Sequence, residues 1–154
     1  MNPMNQTPEE TKLEARFRVL LILWFAMLFS VIILFVMTKV IGTPLSAHDN
    51  PMFVWMLMIP GALTIALSFV MKRRFMAQAI ERRSPAAVQT ALIIALAFCE
   101  SVALFGMVVF FVTGSRYYYL FFIVSVTAML LHRPRRDQLR AATFKNFGQG
   151  WTME

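Results

Sequence analysis

The apolar residues of this chain come in long blocks separated by short clusters of charge. A bilayer core of about 30 Å needs about 20 apolar residues in helix. Four blocks answer to that length or nearly so: residues 19–41, 51–71, 86–113 and 115–132, the last being the shortest. The pattern predicts an all-α, polytopic membrane protein, one transmembrane domain over residues 1–154 with four transmembrane helices and a basic tail over 133–154. The first block exceeds the roughly 7–15 residues of a signal-peptide h-region, and Lys39, Gly42 and Thr43-Pro44 follow it in place of a small-residue cleavage site.

Punctuation between the blocks agrees with that division. Thr7-Pro8-Glu9-Glu10 supplies a hydroxyl cap, a proline at the first helical position and glutamates behind it, so a short helix leads into the first span. Turn formers fill residues 42–50, and Tyr117, Tyr118 and Tyr119 are placed as an interfacial aromatic belt. Only Thr113-Gly114-Ser115-Arg116 separate the third and fourth spans, which must therefore be antiparallel neighbours.

Composition narrows the class further. With 58% hydrophobic and 15% charged residues, the chain is far greasier than soluble domains, which are about 45–50% apolar and about 25% charged. Disorder, a collagen-like fibre and a soluble nucleic-acid binder are excluded, and no nucleic acid is expected among the partners. The single cysteine, Cys99, lies inside an apolar block, which rules out a disulfide framework or a cysteine-rich metal site.

The net charge of +7 reads as topology. Cytoplasmic flanks of membrane helices collect Lys and Arg. Lys12, Arg16 and Arg18 precede the first span; Lys72, Arg73, Arg74, Arg82 and Arg83 fall between the second and third; Arg133, Arg135, Arg136, Arg140 and Lys145 follow the fourth. Of the 15 basic residues only Lys39 and Arg116 remain for the other side. Both termini and the middle loop are thereby assigned to the cytoplasm, as in a bacterial-type inner (plasma) membrane. Leu139, Phe144, Phe147 and Trp151 recur at near-helical spacing among basic residues, the pattern of a tail lying on anionic lipid, with Arg133, Arg135, Arg136 and Arg140 as headgroup contacts. A tail that only satisfies the charge rule fits equally well.

One charge is out of place. Glu100 lies near the middle of the third span, where an acid costs about 2–4 kcal/mol to insert, while the other seven acids fall in tails or loops. Such a group must be protonated, paired or wet. No Lys or Arg lies at its depth, so protonation is the cheapest solution. Ala97, Ser101, Ala103 and Gly106 around it are small or hydroxylic, which lets another helix come close and offers a hydrogen-bond partner. A membrane-embedded proton site, made of Glu100 and Ser101, is weighed against a protonated acid that only ties two helices together.

The stretch Leu96-Ala97-Phe98-Cys99-Glu100-Ser101-Val102-Ala103-Leu104-Phe105-Gly106-Met107-Val108-Val109 resembles the outer helix of the subunit c (proteolipid) family of rotary ATP synthases. Arg82-Arg83-Ser84-Pro85 is similar to that family's cytoplasmic Arg-Gln-Pro loop. The resemblance covers about residues 77–112. It implies that Glu100 carries the ion, that Ala97, Ala103, Phe105, Gly106 and Thr64 pack around it, and that Arg82, Arg83 and Pro85 contact a partner. Phe105 stands where sodium-binding members carry a hydroxyl, so a proton is the implied ion. Ser68, with Thr64, is the second-span hydroxyl able to approach the acid. The second span departs from the family, carrying Gly61 alone with bulky Phe53, Trp55 and Phe69 where the family has regular glycines. The first and fourth spans have no counterpart in a two-helix subunit c.

Other chemistry is sparse. His48 and His132 have no second ligand at a shared depth, so both are read as interfacial anchors and no metal or cofactor is expected. Met52, Met56 and Met58 read as flexible packing filler. Pro60-Gly61 predicts a kink that frees a carbonyl near the level of Glu100. No phosphate loop, nucleophile–base pair or paired carboxylate is present, so no catalytic residue is expected.

The expected function is a non-enzymatic membrane subunit, embedded in the lipid bilayer and forming a homo-oligomer or part of a larger complex, with Glu100 binding a proton. An accessory or assembly subunit with a structural Glu100, and a small proton-coupled exporter, stay open as alternatives.

Overall fold

The computed structural model describes residues 8–42, 50–81, 85–134 and 136–137. Among the described residues four helices follow one another: α1 (Pro8–Ile41), α2 (Pro51–Glu81), α3 (Pro85–Thr113) and α4 (Tyr118–Leu131). Among the described residues there is no strand. Residues 11–41, 51–79 and 86–113 are helical stretches long and apolar enough to cross a membrane. The 14 residues of α4 rise about 21 Å, short of a bilayer core of about 30 Å.

Helix boundaries bear out one expectation, a helix that starts at Pro8 and leads into the first span, and correct another. The segment before the first span is continuous with it, so α1 runs 34 residues from Pro8 without a break. The stretch after Met71 is not a loop: α2 continues through Lys72, Arg73 and Arg74 to Glu81, because Lys, Arg, Met, Ala, Gln and Glu are all good helix formers. Thr7, the expected cap, lies outside the described residues.

Local chemistry explains where the helices start and stop. Asn50 caps α2, its Oδ1 accepting from the backbone N–H of Met52 (3.1 Å) and Phe53 (3.3 Å), with Pro51 at the first helical position where no N–H is needed. Gly42 (φ 72°) ends α1 and Gly114 (φ 60°) ends α3, each in the left-handed conformation that glycine enters without strain. Behind Gly114 the chain turns tightly, with the Ser115 N–H donating to Thr113 Oγ1 at 3.2 Å.

The helices are not arranged as a square bundle. α3 packs against all three others, α4 likewise, and α1 and α2 do not pack against each other. Of the three long helices α3 is the most enclosed: 44% of its apolar stretch is buried, against 17% for α1 and for α2. Leu96, Cys99, Val102, Ala103, Val109 and Phe110 from α3 meet Phe121, Phe122 and Met129 from α4 and Val31 from α1 to form the core. The outer faces of α1 and α2 are apolar and exposed, Ile22, Phe25, Phe29, Trp55, Met56 and Leu63 among them. In water such faces would be an aggregation hazard; in lipid they are the solvent-facing surface.

Close approach of α3 and α4 rests on Gly106. A methyl added there would lie 2.9 Å from Phe121 Cβ and 3.1 Å from the Tyr118 carbonyl oxygen. α1 is tied to α4 at one end by the Trp24 indole N–H, which donates to the Met129 carbonyl at 2.9 Å. At the other end Phe35 packs edge-on against Phe122 at 5.3 Å.

Candidate functional site

Glu100 is held by α3 about halfway along its 29 residues. It is half-buried, at the border of a strip made by Ile93, Ala97, Leu104 and Val108, whose four- and seven-residue spacing keeps them on one exposed face. Gly106, which faces α4, lies on the opposite side of the helix. The open strip of α3 therefore looks into the space that α1 and α2 leave between them, with Glu100 on its α1 edge.

The partner of the acid comes from the first helix. Ser30 Oγ donates to Glu100 Oε1 at 2.7 Å. Sequence reasoning misses this residue, because nothing in the spacing of α1 distinguishes Ser30 and the register between two helices so far apart is a tertiary property. The only sequence signal is that Ser30 is the one hydroxyl between Val19 and Met37.

The residues expected around Glu100 are distributed differently. The Ser101 hydroxyl donates to the Ala97 carbonyl one turn back, at 2.9 Å, and not to the acid. Thr64 does the same on α2, donating to the Pro60 carbonyl at 2.7 Å. Phe105 faces Gly61 on α2, Gly106 faces α4, Ala103 is buried in the core and Ala97 is exposed on the strip.

Gly61 opposite Phe105 and Ser68 opposite Cys99 fix how α2 slides along α3. Pro60 sits at the level of Phe105, five residues or about 7.5 Å beyond Glu100 along the helix. The carbonyl that its missing N–H frees, one turn earlier, is farther still. The carbonyl freed by Pro60 therefore does not serve the acid, and neither Thr64 nor Ser68 bonds Glu100, each donating to its own helix backbone instead.

A second polar cluster emerges only from the packing. His132 follows α4 and is fully buried, where exposure at the interface was expected. Its Nδ1 lies 2.8 Å from the Ala128 carbonyl; that oxygen only accepts, so Nδ1 carries the proton. Nε2 is 3.5 Å from Ser68 Oγ, and the ring packs on Phe69 at 4.4 Å. Ser68 itself donates to the Ile65 carbonyl at 2.7 Å, and the Cys99 thiol is 3.9 Å from it. Ser125 completes the group by donating to the Cys99 carbonyl at 2.7 Å. These bonds join α2, α3 and α4 within the buried interior.

Tyr118 departs from the expected aromatic belt. It is buried against Phe110 (5.0 Å) and Phe122 (6.2 Å), while Tyr117 and Tyr119 are exposed. Arg133 and Arg136 are exposed, the Arg136 guanidinium lying 5.0 Å over the Phe17 ring. Met52 and Met56 are exposed on α2 and Met58 packs on the core. Pro85 opens α3. Arg82, Arg83, Arg135, Arg140, His48 and the tail beyond residue 137 lie outside the described residues. Among the described residues no three His, Cys, Asp or Glu side chains are grouped to hold a metal ion.

No family model matches this chain, and no curated protein or solved structure matches it. The class is defined by the fold: among the described residues, helices and no strands, with three helices long and apolar enough to cross a membrane and a carboxyl within the most enclosed of those three.

Proposed function

We propose that this protein is a non-enzymatic, oligomer-forming membrane subunit in which Glu100 binds and releases a proton at the seam of α1 and α3. The place of Glu100 carries the reading: a half-buried carboxyl midway along a helix able to cross a membrane, bonded to the Ser30 hydroxyl. One hydroxyl satisfies one carboxyl oxygen and brings no charge, so uptake of a proton is what makes the acid compatible with lipid. A group that is only half-buried can exchange that proton whenever the open strip beside it is wetted.

The same strip is the surface for assembly. Ala97 and Ser101 are small, one turn apart and left at least partly open by α1, α2 and α4, so they admit a helix from a second copy close to Glu100. In this reading α4, extended by the turn at 115–117 and by His132, is a fourth span, both termini and the Arg82-Arg83 stretch between α2 and α3 are cytoplasmic, and the membrane is of the bacterial inner type. A subunit c-like ancestry is compatible with the acid's place on the helix after Pro85. The wedge of α1 against α3 would make any ring wider than one built from hairpins.

An accessory subunit with a structural acid is favoured by one observation, that Glu100 already has a partner within its own chain. Labelling of native membranes with dicyclohexylcarbodiimide across a range of pH separates the two, with peptide mapping of Glu100. Proton binding predicts fast labelling that falls as pH rises and is lost in Glu100→Gln. A structural acid predicts no labelling at any pH. Protection by added sodium would assign the site to sodium instead.

A further inference from the structure

α4 leaves two apolar slots open to the membrane, one on each side. Between α4 and α2 the slot has about 210 Å³ and is lined by Met58, Gly61, Phe121 and Val124, with no charged residue in it. Between α4 and α1 it is larger, about 450 Å³, with Val31, Phe35, Phe122, Ile123 and Val126 along its walls and Lys39 at its end. That volume falls in the range of about 300–1,000 Å³ typical of ligand sites, which combine apolar walls with a few placed polar groups.

Lys39 is the distinguishing feature. Its Nζ lies 5.7 Å from the ring centroids of both Phe35 and Tyr118, so two aromatic faces hold the cation over the slot. Among the described residues no carboxylate lies at that end of the helices, the acids being Glu9, Glu10, Glu14, Glu81, Glu100 and Asp137. From Lys39 the slot descends α1 to Val31, eight residues or about 12 Å. Half of a bilayer core is about 15 Å.

We propose that this slot holds one acyl chain of an anionic phospholipid, with Lys39 taking its phosphate, in the leaflet at the Gly42 end of the helices. Positive charge at the mouth and an apolar groove one leaflet deep match that chemistry in both parts. The proposal goes beyond the proton site and does not depend on it.

The test uses the purified full chain in vesicles made of phosphatidylglycerol and phosphatidylcholine, with a photoreactive diazirine on the acyl chain of one or the other. Crosslinks at residues 31–35 are expected several-fold more often from phosphatidylglycerol, and equally from both lipids at residues 58–62 in the uncharged slot. Lys39→Gln should reduce the first ratio to that of the second, and Lys39→Arg should keep it. Equal ratios in the native protein would mean ordinary surrounding lipid and overturn the proposal, as would a preference that survives Lys39→Gln with helix content unchanged.

Discussion

Ser30 and Glu100 stand 70 positions apart in sequence and 2.7 Å apart in space. The bond makes α1, otherwise a greasy outer helix, part of the site. Ser30→Ala should leave the carboxyl oxygen without its donor and weaken the packing of α1 on α3 by about 0.5–2 kcal/mol, the range of interhelical hydrogen bonds in membranes. Unfolding of the purified protein in mixed detergent, followed by circular dichroism, reads that loss. Glu100→Gln keeps a carbonyl acceptor for Ser30, so it should lose much less stability while abolishing carbodiimide labelling.

Two glycines should respond oppositely to the same change. Gly106→Ala drives a methyl to 2.9 Å from Phe121 Cβ and 3.1 Å from a backbone oxygen, atoms that move only if α4 moves, and should destabilise by about 1–3 kcal/mol. Gly61→Ala meets its nearest atom, Phe121 Cε1, at 3.5 Å, an ordinary contact. It should be neutral or stabilising by up to about 1 kcal/mol through helix propensity. The same detergent unfolding measurement on both variants decides.

Trp24→Phe keeps the ring in the core and removes the donor to Met129. A loss of about 0.5–1.5 kcal/mol is expected, together with a faster proteolytic cut between α1 and α2 if α1 is held mainly by this bond and by Ser30. Stability unchanged within error would show that apolar contact alone seats α1.

Cys99 is a built-in reporter of the α2–α3–α4 core. Its side chain is fully buried, so the native protein should resist a membrane-permeant maleimide and react promptly once unfolded. His132→Ala removes the ring packed on Phe69 and beside Ser68, opening the space below the thiol. Maleimide labelling should accelerate at least several-fold in that variant, whereas Met56→Ala, on the exposed face of α2, should change nothing.

The anomaly of Glu100 is legible in the amino-acid sequence alone, because a charge in an apolar block needs no contact map to be noticed. Its partner is not. Hydroxyls on membrane helices commonly bond their own backbone one turn back, as Ser101 and Thr64 do, and spacing along a chain does not tell which hydroxyl turns outward instead. His132 escapes sequence reasoning for a related reason: a histidine at the end of an apolar block looks interfacial, and only the approach of Phe69 and Ser68 from α2 encloses it.

By itself the sequence determined that the chain is helical, that at least three of its helices match a bilayer, and that one acid lies where lipid resists charge. Those properties follow from hydrophobicity and from backbone groups that must bond within each helix. Tertiary structure decided which helix is central, how α2 slides against α3, and which side chains meet. In lipid the apolar faces of α1 and α2 are equally content outside or inside, so periodicity carries little information about their neighbours. Close packing at Gly106 and the bonds of Ser30, Trp24 and His132 supply what periodicity lacks, and with them α3 is enclosed while Glu100 is left at its open edge.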